Sequence, residues 1–522
     1  MSSPDLAATV HAAVDCADVA AAHPDPAFPQ FHPRPAQGWI NDPNGVSHLN
    51  GRYHVFFQYN PGSARHSKIA WGHVSSADLI RWQEHPVALR PQDGGPDEYG
   101  CWTGVVTDDG DVPTAAYSGV RGDGGHSQVV ISRGSADLVS WAQDGHIAAS
   151  VPDDAQVTAV RDPFIFRFNG KRYAMQGAGL ASGHAAVLLY TVEDLADWKY
   201  QGIWLTSENP VASRYTPAEI WECPQLVRVP SDSDVDSASS SDAWVMMFSL
   251  WLSGDTHEHA NGVGHLIGSL AEDPATGLPV FSPRTGGKSD LGRDFYAPQI
   301  VQLEGGGSGP DAAGPNDSGP KAAGPDTVGP KALLWGWANE GFGRDGLRGR
   351  SQEEIDAAGW AGVLTFPREL SVKDGSLVVT PAPEVQAYRG VQTAAQATGT
   401  VVLPPYAEAV VTARPEAAAT ETAATTRSGD VAAPAGDAVV ELSLVAGAGS
   451  PGASAAPRQI VFSGRLAPGE ELGVFVDASL VEVYRTGSVA TTVRAYPQPG
   501  EEWHLELPGL AQADVWELTQ PE

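Results

Sequence analysis

Apolar positions along the chain fall in short runs rich in Val, Ile, Phe, Tyr and Trp, separated by clusters of Gly, Pro, Asn and Asp. Runs such as Tyr53 to Tyr59, Gln128 to Ser132, Phe164 to Phe168 and Val187 to Thr191 read as strands bounded by turns. Only residues 5–22 and 351–358 carry a helical pattern. The pattern predicts an all-β protein.

The strands are organised by a repeat. Ser76–Ala77–Asp78–Leu79–Ile80–Arg81–Trp82 recurs as Ser135–Ala136–Asp137–Leu138–Val139–Ser140–Trp141, and more loosely as Val192–Glu193–Asp194–Leu195–Ala196–Asp197–Trp198. A degenerate fourth copy lies at Gly268–Ser269–Leu270–Ala271–Glu272–Asp273. The period, about sixty residues, suits a propeller blade of four strands. With the inserts near 231–242 and 304–332 removed, residues 39–370 accommodate five blades. Residues 304–332 repeat a Gly-Pro unit with too little apolar content to order itself, and read as a surface loop.

Beyond residue 370 strand patterns continue alone, at 376–379, 399–403, 438–445, 458–463, 472–484, 490–496 and 503–507. The expected architecture is therefore a five-bladed β-propeller followed by a C-terminal β-sandwich, with an N-terminal extension at 1–38, the propeller at 39–370 and the sandwich at 371–522.

Charge narrows the partners. The 522 residues carry a formal net charge of −31, which repels phosphate backbones and anionic lipid, so a neutral small molecule is expected rather than nucleic acid or a membrane. The three cysteines, Cys16, Cys101 and Cys223, form no CxxC pair, which argues against a disulfide framework and a thiolate zinc site. No leader-like or membrane-spanning apolar run is visible, so a cytoplasmic location is expected; a homo-oligomer is left open. His257–Glu258–His259 lacks the spacing of a helical zinc motif, Asp232, Asp234 and Asp236 lack the Gly and Glu that complete a calcium loop, and Gly305 to Gly309 enter no helix. No metal and no cofactor are expected.

Phase places the acids. Asp42, Asp162 and Glu222 are two repeat periods and one period apart, and the same phase in the second repeat falls on Trp102. The first strand of a blade borders the central channel, so three carboxylates and an aromatic should converge on one axial pocket. Crowded carboxylates split in pKa, leaving one as an acid and another as an anionic nucleophile. Two carboxylates astride a sugar is the glycosidase pattern.

Trp39–Ile40–Asn41–Asp42–Pro43–Asn44–Gly45, Arg161–Asp162–Pro163 and Trp221–Glu222–Cys223–Pro224 resemble the three signature blocks of glycoside hydrolase family 32, the β-fructofuranosidases. Phe57 to Pro61, Trp71 to Ser75, Asp294 to Ala297, Gly359 to Thr365 and Asp477 to Tyr484 agree in order, so the resemblance covers about residues 31–522. It implies that Asp42 is the nucleophile, Glu222 the acid and base, and Asp162 a third carboxylate that binds fructosyl hydroxyls and that Arg161 helps to keep ionised. It also implies that Asn41, Gln58, Trp71, Trp102, Thr103 and Tyr296 line the fructose pocket. Cys101–Trp102–Thr103–Gly104 stands where many members carry an aromatic followed by Ser.

The expected activity is retaining release of fructose from sucrose or short β-fructosides. Alternatives are a fructosyltransferase on the same site, a sucrose-6-phosphate hydrolase using Arg65, Lys68 or Arg121, and a non-catalytic fructan-binding protein.

Overall fold

The computed structural model describes residues 13–122, 125–232, 242–253, 261–303, 330–340, 349–413, 438–447 and 458–521. The expected loop at 304–332 lies outside the described residues up to 329, as do most of the insert near 231–242, the His257–His259 cluster and Asp234 and Asp236.

The repeat is the turn between the third and fourth strands of the first four blades. Asp78 Oδ1 accepts the backbone N–H groups of Ile80 and Arg81 at 3.0 and 2.8 Å, an Asx-type cap, while Leu79 takes a left-handed φ of 64°. The indole N–H of Trp82 then donates to the Leu79 carbonyl at 3.1 Å. Trp141 does the same to Leu138 at 2.9 Å, and Trp198 to Leu195 at 2.8 Å. The degenerate copy keeps only the cap, Asp273 Oδ1 accepting from Ala275 at 2.8 Å. The sequence period is thus a local hydrogen-bonding requirement met in full in the first three blades and by its cap alone in the fourth.

Five antiparallel four-stranded units follow one another. Their innermost strands are Gly38–Leu49, Gly100–Asp108, Val157–Phe168, Ile220–Pro230 and Phe295–Leu303; each packs on the next, and the fifth returns to the first. This ring is a five-bladed β-propeller. It is closed by one short segment: Trp360 and Ala361 pair in parallel with Gly38 and Trp39 of the first blade, while Val363 and Leu364 pair with Ala338 and Trp337 of the fifth.

The fifth blade takes its outer hairpin from Arg368–Lys373 and Ser376–Pro381, so the strand expected at 376–379 belongs to the propeller sheet. At the N-terminus, Val14 and Asp15 pair with Glu84 and Gln83 on the outer edge of the first blade. The helix expected from residue 5 begins at Cys16, capped by Asp15, and ends at Ala22; residues 5–12 lie outside the described ones. The other helix, Gln352–Ala358, has a capping box between Ser351 and Glu354.

The C-terminal β-sandwich packs a six-stranded sheet on a four-stranded one around Val411, Leu442, Val474, Leu505 and Val515. The run 472–484 is a hairpin, Glu471–Asp477 and Leu480–Arg485, turning through Ala478 at φ 54°. Strands Arg389–Ala397, Tyr406–Ala413 and Ala511–Leu518 carry so much Ala, Gln and Glu that propensity alone does not mark them.

A buried ionic network joins the two domains. Arg368, from the fifth blade, donates to Asp290 at 2.7 Å and to Glu482 of the sandwich at 2.9 Å. His32 bridges Asp477 at 2.7 Å and Glu482 at 3.1 Å, and all of these groups are buried. The pairing raises the His32 pKa above its usual value despite burial, and holds Glu482 down at about 2 against burial, with Arg368 as the main cause.

Candidate active site

Every innermost strand carries an extra residue relative to its neighbour. The register shifts lie between Ile40 and Pro43, Cys101 and Gly104, Arg161 and Phe164, Glu222 and Gln225, and Tyr296 and Gln299. A bulge bends the strand and re-aims its side chains. Here five bulges at one level of the ring turn Asn41, Asp42, Trp102, Thr103, Asp162 and Cys223 toward one another, with Arg161, Glu222 and Tyr296 at their leading edges. Asp162, Cys223 and Ala297 each sit left-handed, at φ 60°, 48° and 50°, directly before a proline, where extended backbone is the ordinary choice. The ladder on both sides of each bulge holds that strain.

The bulges also refine the phase of the acids. Glu222 leads its bulge as Arg161 and Tyr296 lead theirs, and the residue equivalent to Asp162 is Cys223. Sequence spacing alone had Glu222 and Asp162 at nearly equivalent positions.

Asp42 is held by donors. Its Oδ2 accepts from Thr103 Oγ1 at 2.5 Å and Gln58 Nε2 at 2.9 Å, and its Oδ1 from Asn41 Nδ2 at 3.1 Å. Asn41 is in turn oriented by the indole N–H of Trp39, 2.9 Å from its Oδ1. Glu222 is bound at both oxygens: Arg161 Nε donates to Oε1 at 2.9 Å and the Tyr296 hydroxyl to Oε2 at 2.6 Å. Asp162 Oδ2 accepts the Cys223 backbone N–H at 2.9 Å, while its own N–H donates to Ser118 Oγ at 2.7 Å. The Cys223 thiol links the two aspartates, its Sγ 3.6 Å from Oδ2 of each.

Burial acts on these acids strongly. It pushes Asp42 up to about 6; the neighbouring Glu222 adds to this, and the hydrogen bonds from Thr103, Asn41 and Cys223 oppose it. Asp162 is pushed up to about 8, again by burial first and Glu222 second, with the Arg161 charge only partly offsetting them. The Arg161 guanidinium hydrogen-bonds Glu222 rather than Asp162, yet its charge still lowers the Asp162 pKa, in the direction expected, against the burial and the Glu222 charge that raise it. Asp42 and Glu222 keep part of their surface open to the pocket.

The other expected pocket residues divide. Asn41, Gln58, Thr103, Arg161 and Tyr296 all touch a carboxylate, and half-buried Trp102 packs into the same apolar wall as Trp39, Trp337 and Tyr296. Trp71 does not reach the pocket. It is 0% exposed, packs on Phe56 and Tyr117, and supports the wall from behind by donating to the Trp102 carbonyl at 3.1 Å. Sequence reasoning did not single out Trp39, Ser118 or Trp337. For Cys223 a signal existed: it stands before a proline, as Asp42 and Asp162 do.

Five four-stranded blades whose innermost strands bring Asp42, Asp162 and Glu222 into mutual electrostatic contact make an all-β propeller with a cluster of carboxylates at its centre. Residues 32–309 match the glycosyl hydrolases family 32 N-terminal domain, more than half of the chain. The chain belongs to that family.

A sucrose-6-phosphate hydrolase of Zymomonas mobilis is 29% identical over 377 residues, covering 69% of this chain and 63% of that protein. A raffinose invertase of Escherichia coli is 29% identical over 371 residues, covering 69% of this chain and 66% of that protein. The chain thus spans less than two thirds of the length of these curated relatives. Among solved structures, a Bombyx mori family 32 β-fructofuranosidase superposes with a TM-score of 0.69 at 22% identity, covering 97% of both chains. Fructan 1-exohydrolase IIa of Cichorium intybus gives 0.69 at 20% identity, covering 95% of this chain and 98% of that one.

Proposed function

We propose that the protein is a retaining β-fructofuranosidase acting on sucrose and short β-fructosides. The observation that carries this reading is the pairing of a donor-ringed Asp42 with a Glu222 whose two oxygens are both engaged, across one pocket. The ionised Asp42 attacks the anomeric carbon of the fructosyl unit while Glu222 gives its proton to the departing glycosidic oxygen, so the carbon–oxygen bond breaks as the ester to Asp42 forms. Water then attacks the same carbon, Glu222 takes its proton, and Asp42 leaves; two inversions retain configuration. Arg161 and Tyr296 stabilise the carboxylate that Glu222 becomes when it gives up its proton. Asp162, buried beside both, hydrogen-bonds the fructosyl hydroxyls.

The names of the relatives support a sugar substrate. The Bombyx mori enzyme has been solved with sucrose, and the Cichorium intybus enzyme with 1-kestose. Relatives named for sucrose-6-phosphate favour a second reading, hydrolysis of a phosphorylated sucrose. Arg65 is committed to Asp356, but Lys68 and Arg121 are exposed and form no ion pair among the described residues.

The test is a product time course on sucrose, sucrose-6-phosphate, 1-kestose, inulin and levan, with Asp42→Asn and Glu222→Gln as controls. Fructose release lost in both variants supports the reading, and the preferred sucrose decides between the two substrates. Release that survives Asp42→Asn, or a wild type inert on every fructoside, would sink it.

A further inference from the structure

A crevice of about 700 Å³ lies between the propeller and the sandwich and shares no lining residue with the carboxylate site. It is lined by Ile460 to Arg465 of the strand Gln459–Leu466, by Thr491 and Val493 of the strand Thr491–Arg494, and by the link Leu291 to Arg293 between the fourth and fifth blades. The two strands are edges, one from each sandwich sheet. Gln459–Leu466 pairs with Ala438–Ala446 on one side alone, and along Ile460 to Arg465 its backbone bonds no other described residue. An open row of N–H and C=O groups is a template for one more strand, which is why sheets ordinarily cover or blunt their edges. Here the edge lies against apolar surface: Val461, Leu472, Val483 and Val493 are buried beneath it, while Ile460 and Leu291 are 47% and 64% exposed.

Charge in the crevice runs against that of the chain. Its described lining holds four cations, Lys288, Arg293, Arg465 and Arg485, and one acid, Asp290, whereas the whole chain has 32 Lys and Arg against 63 Asp and Glu. Asp290 is already neutralised by Arg368 at 2.7 Å. Asp294 holds Arg293, and Glu470 holds Arg485. The Lys288 ammonium reaches only the Asn261 carbonyl, and the exposed Arg465 meets no acid among the described residues. Two cations are thus left uncompensated beside an open strand edge, in a chain of net charge −31.

We propose that this crevice is a docking slot for an acidic, extended peptide segment of a partner protein, added as a further strand on the open edge of Gln459–Leu466. The six residues from Ile460 to Arg465 offer it a length of about 20 Å at the rise of a strand. Main-chain hydrogen bonds hold the segment, its alternate side chains enter the apolar floor, and its carboxylates meet Lys288 and Arg465. A second copy of this chain fits less well: pairing two such edges brings two cationic rims together, and the sheet's other open edge, Gly399–Leu403, carries no acid. A neutral glycan offers no carboxylate to the two cations.

The probe is a fluorescein-labelled seven-residue peptide alternating Glu and Val, titrated with the full chain and followed by anisotropy. Two controls accompany it: the same peptide with Lys in place of Glu, and one N-methylated at three consecutive central amides, which keeps the charge but cannot pair as a strand. The Glu–Val peptide is expected to bind saturably, and either control to bind at least about tenfold more weakly. Lys288→Glu and Arg465→Glu should each weaken it by about tenfold as well. Both side chains are exposed, so an unchanged Tm checks that the variants are folded. No binding of the Glu–Val peptide, or equal binding of the N-methylated one, would overturn the proposal. So would self-association in sedimentation that Arg465→Glu dissolves, because the edge would then belong to a second copy. None of these outcomes bears on the fructosidase reading, which sucrose hydrolysis tests separately.

Discussion

Arg161, in the third blade, reaches Glu222 in the fourth, its Nε 2.9 Å from Oε1. Cation and acid come from adjacent innermost strands, and the Tyr296 hydroxyl from the fifth blade completes the clamp at 2.6 Å. The proton donor is thus assembled from three blades, and its geometry depends on the ring being closed.

Removing either partner should slow the step in which Glu222 gives up its proton. Tyr296→Phe and Arg161→Met are each expected to lower kcat on sucrose by roughly 10- to 100-fold, the worth of a hydrogen bond to a charged group. The loss should shrink for an aryl fructoside, whose leaving group needs little protonation. A loss independent of leaving group, in steady-state kinetics, would assign these residues to fructose binding instead.

Thr103 donates to the Asp42 carboxylate, and that bond favours the anion. Because Asp42 must be ionised to attack, activity should fall as pH drops through about 6. Thr103→Val removes the donor, so the acid limb of the kcat/KM profile should move to higher pH. An unmoved or lowered limb would mean that another group controls it.

Asp162 is pushed up to about 8, so the folded protein binds a proton there that the unfolded chain has released above the usual carboxylate range. The sign follows directly: between about pH 4 and 8, raising the pH costs stability at this site. Asp162→Asn should therefore abolish most activity yet raise Tm at pH 7.5. A lowered Tm, measured calorimetrically, would mean that the carboxylate is ionised and stabilising.

All three thiols, Cys16, Cys101 and Cys223, are free and buried, and burial pushes each one's pKa upward. A buried, protonated thiol is a poor nucleophile. An aromatic disulfide reagent at pH 8 should label none of them in the native protein and three per chain in guanidinium. Rapid native labelling of one thiol would show that its site opens.

At the domain seam, Glu482 accepts from Arg368, His32, Tyr484 and the Phe366 N–H. Glu482→Gln leaves the Arg368 charge with only Asp290 and should destabilise the fold by about 3–5 kcal/mol in denaturant unfolding. Two pH limits follow. The Glu482 contribution is lost as pH falls through its depressed value of about 2, and the His32 contribution as pH rises through its elevated one. A change below about 1 kcal/mol would show that the seam does not depend on this pairing.

The sequence by itself marked the first three blades, because what repeats there is local: an aspartate cap and a tryptophan closing on the carbonyl of the leucine between them, all within seven residues. It likewise marked Asp42, Asp162 and Glu222, by their spacing in repeat periods and by the blocks around them that resemble family 32. It did not disclose that Arg161 serves Glu222, that Trp71 stands behind the wall, or that Cys223 touches both aspartates. Nor did it mark Arg389–Ala397 as a strand, or Ser376–Pro381 as part of the propeller. Those facts depend on which strands become neighbours when the ring closes through Trp360 to Leu364. Side-chain partners from different blades are chosen by that closure and by the one-residue bulges, neither of which has a local energetic signature in the chain.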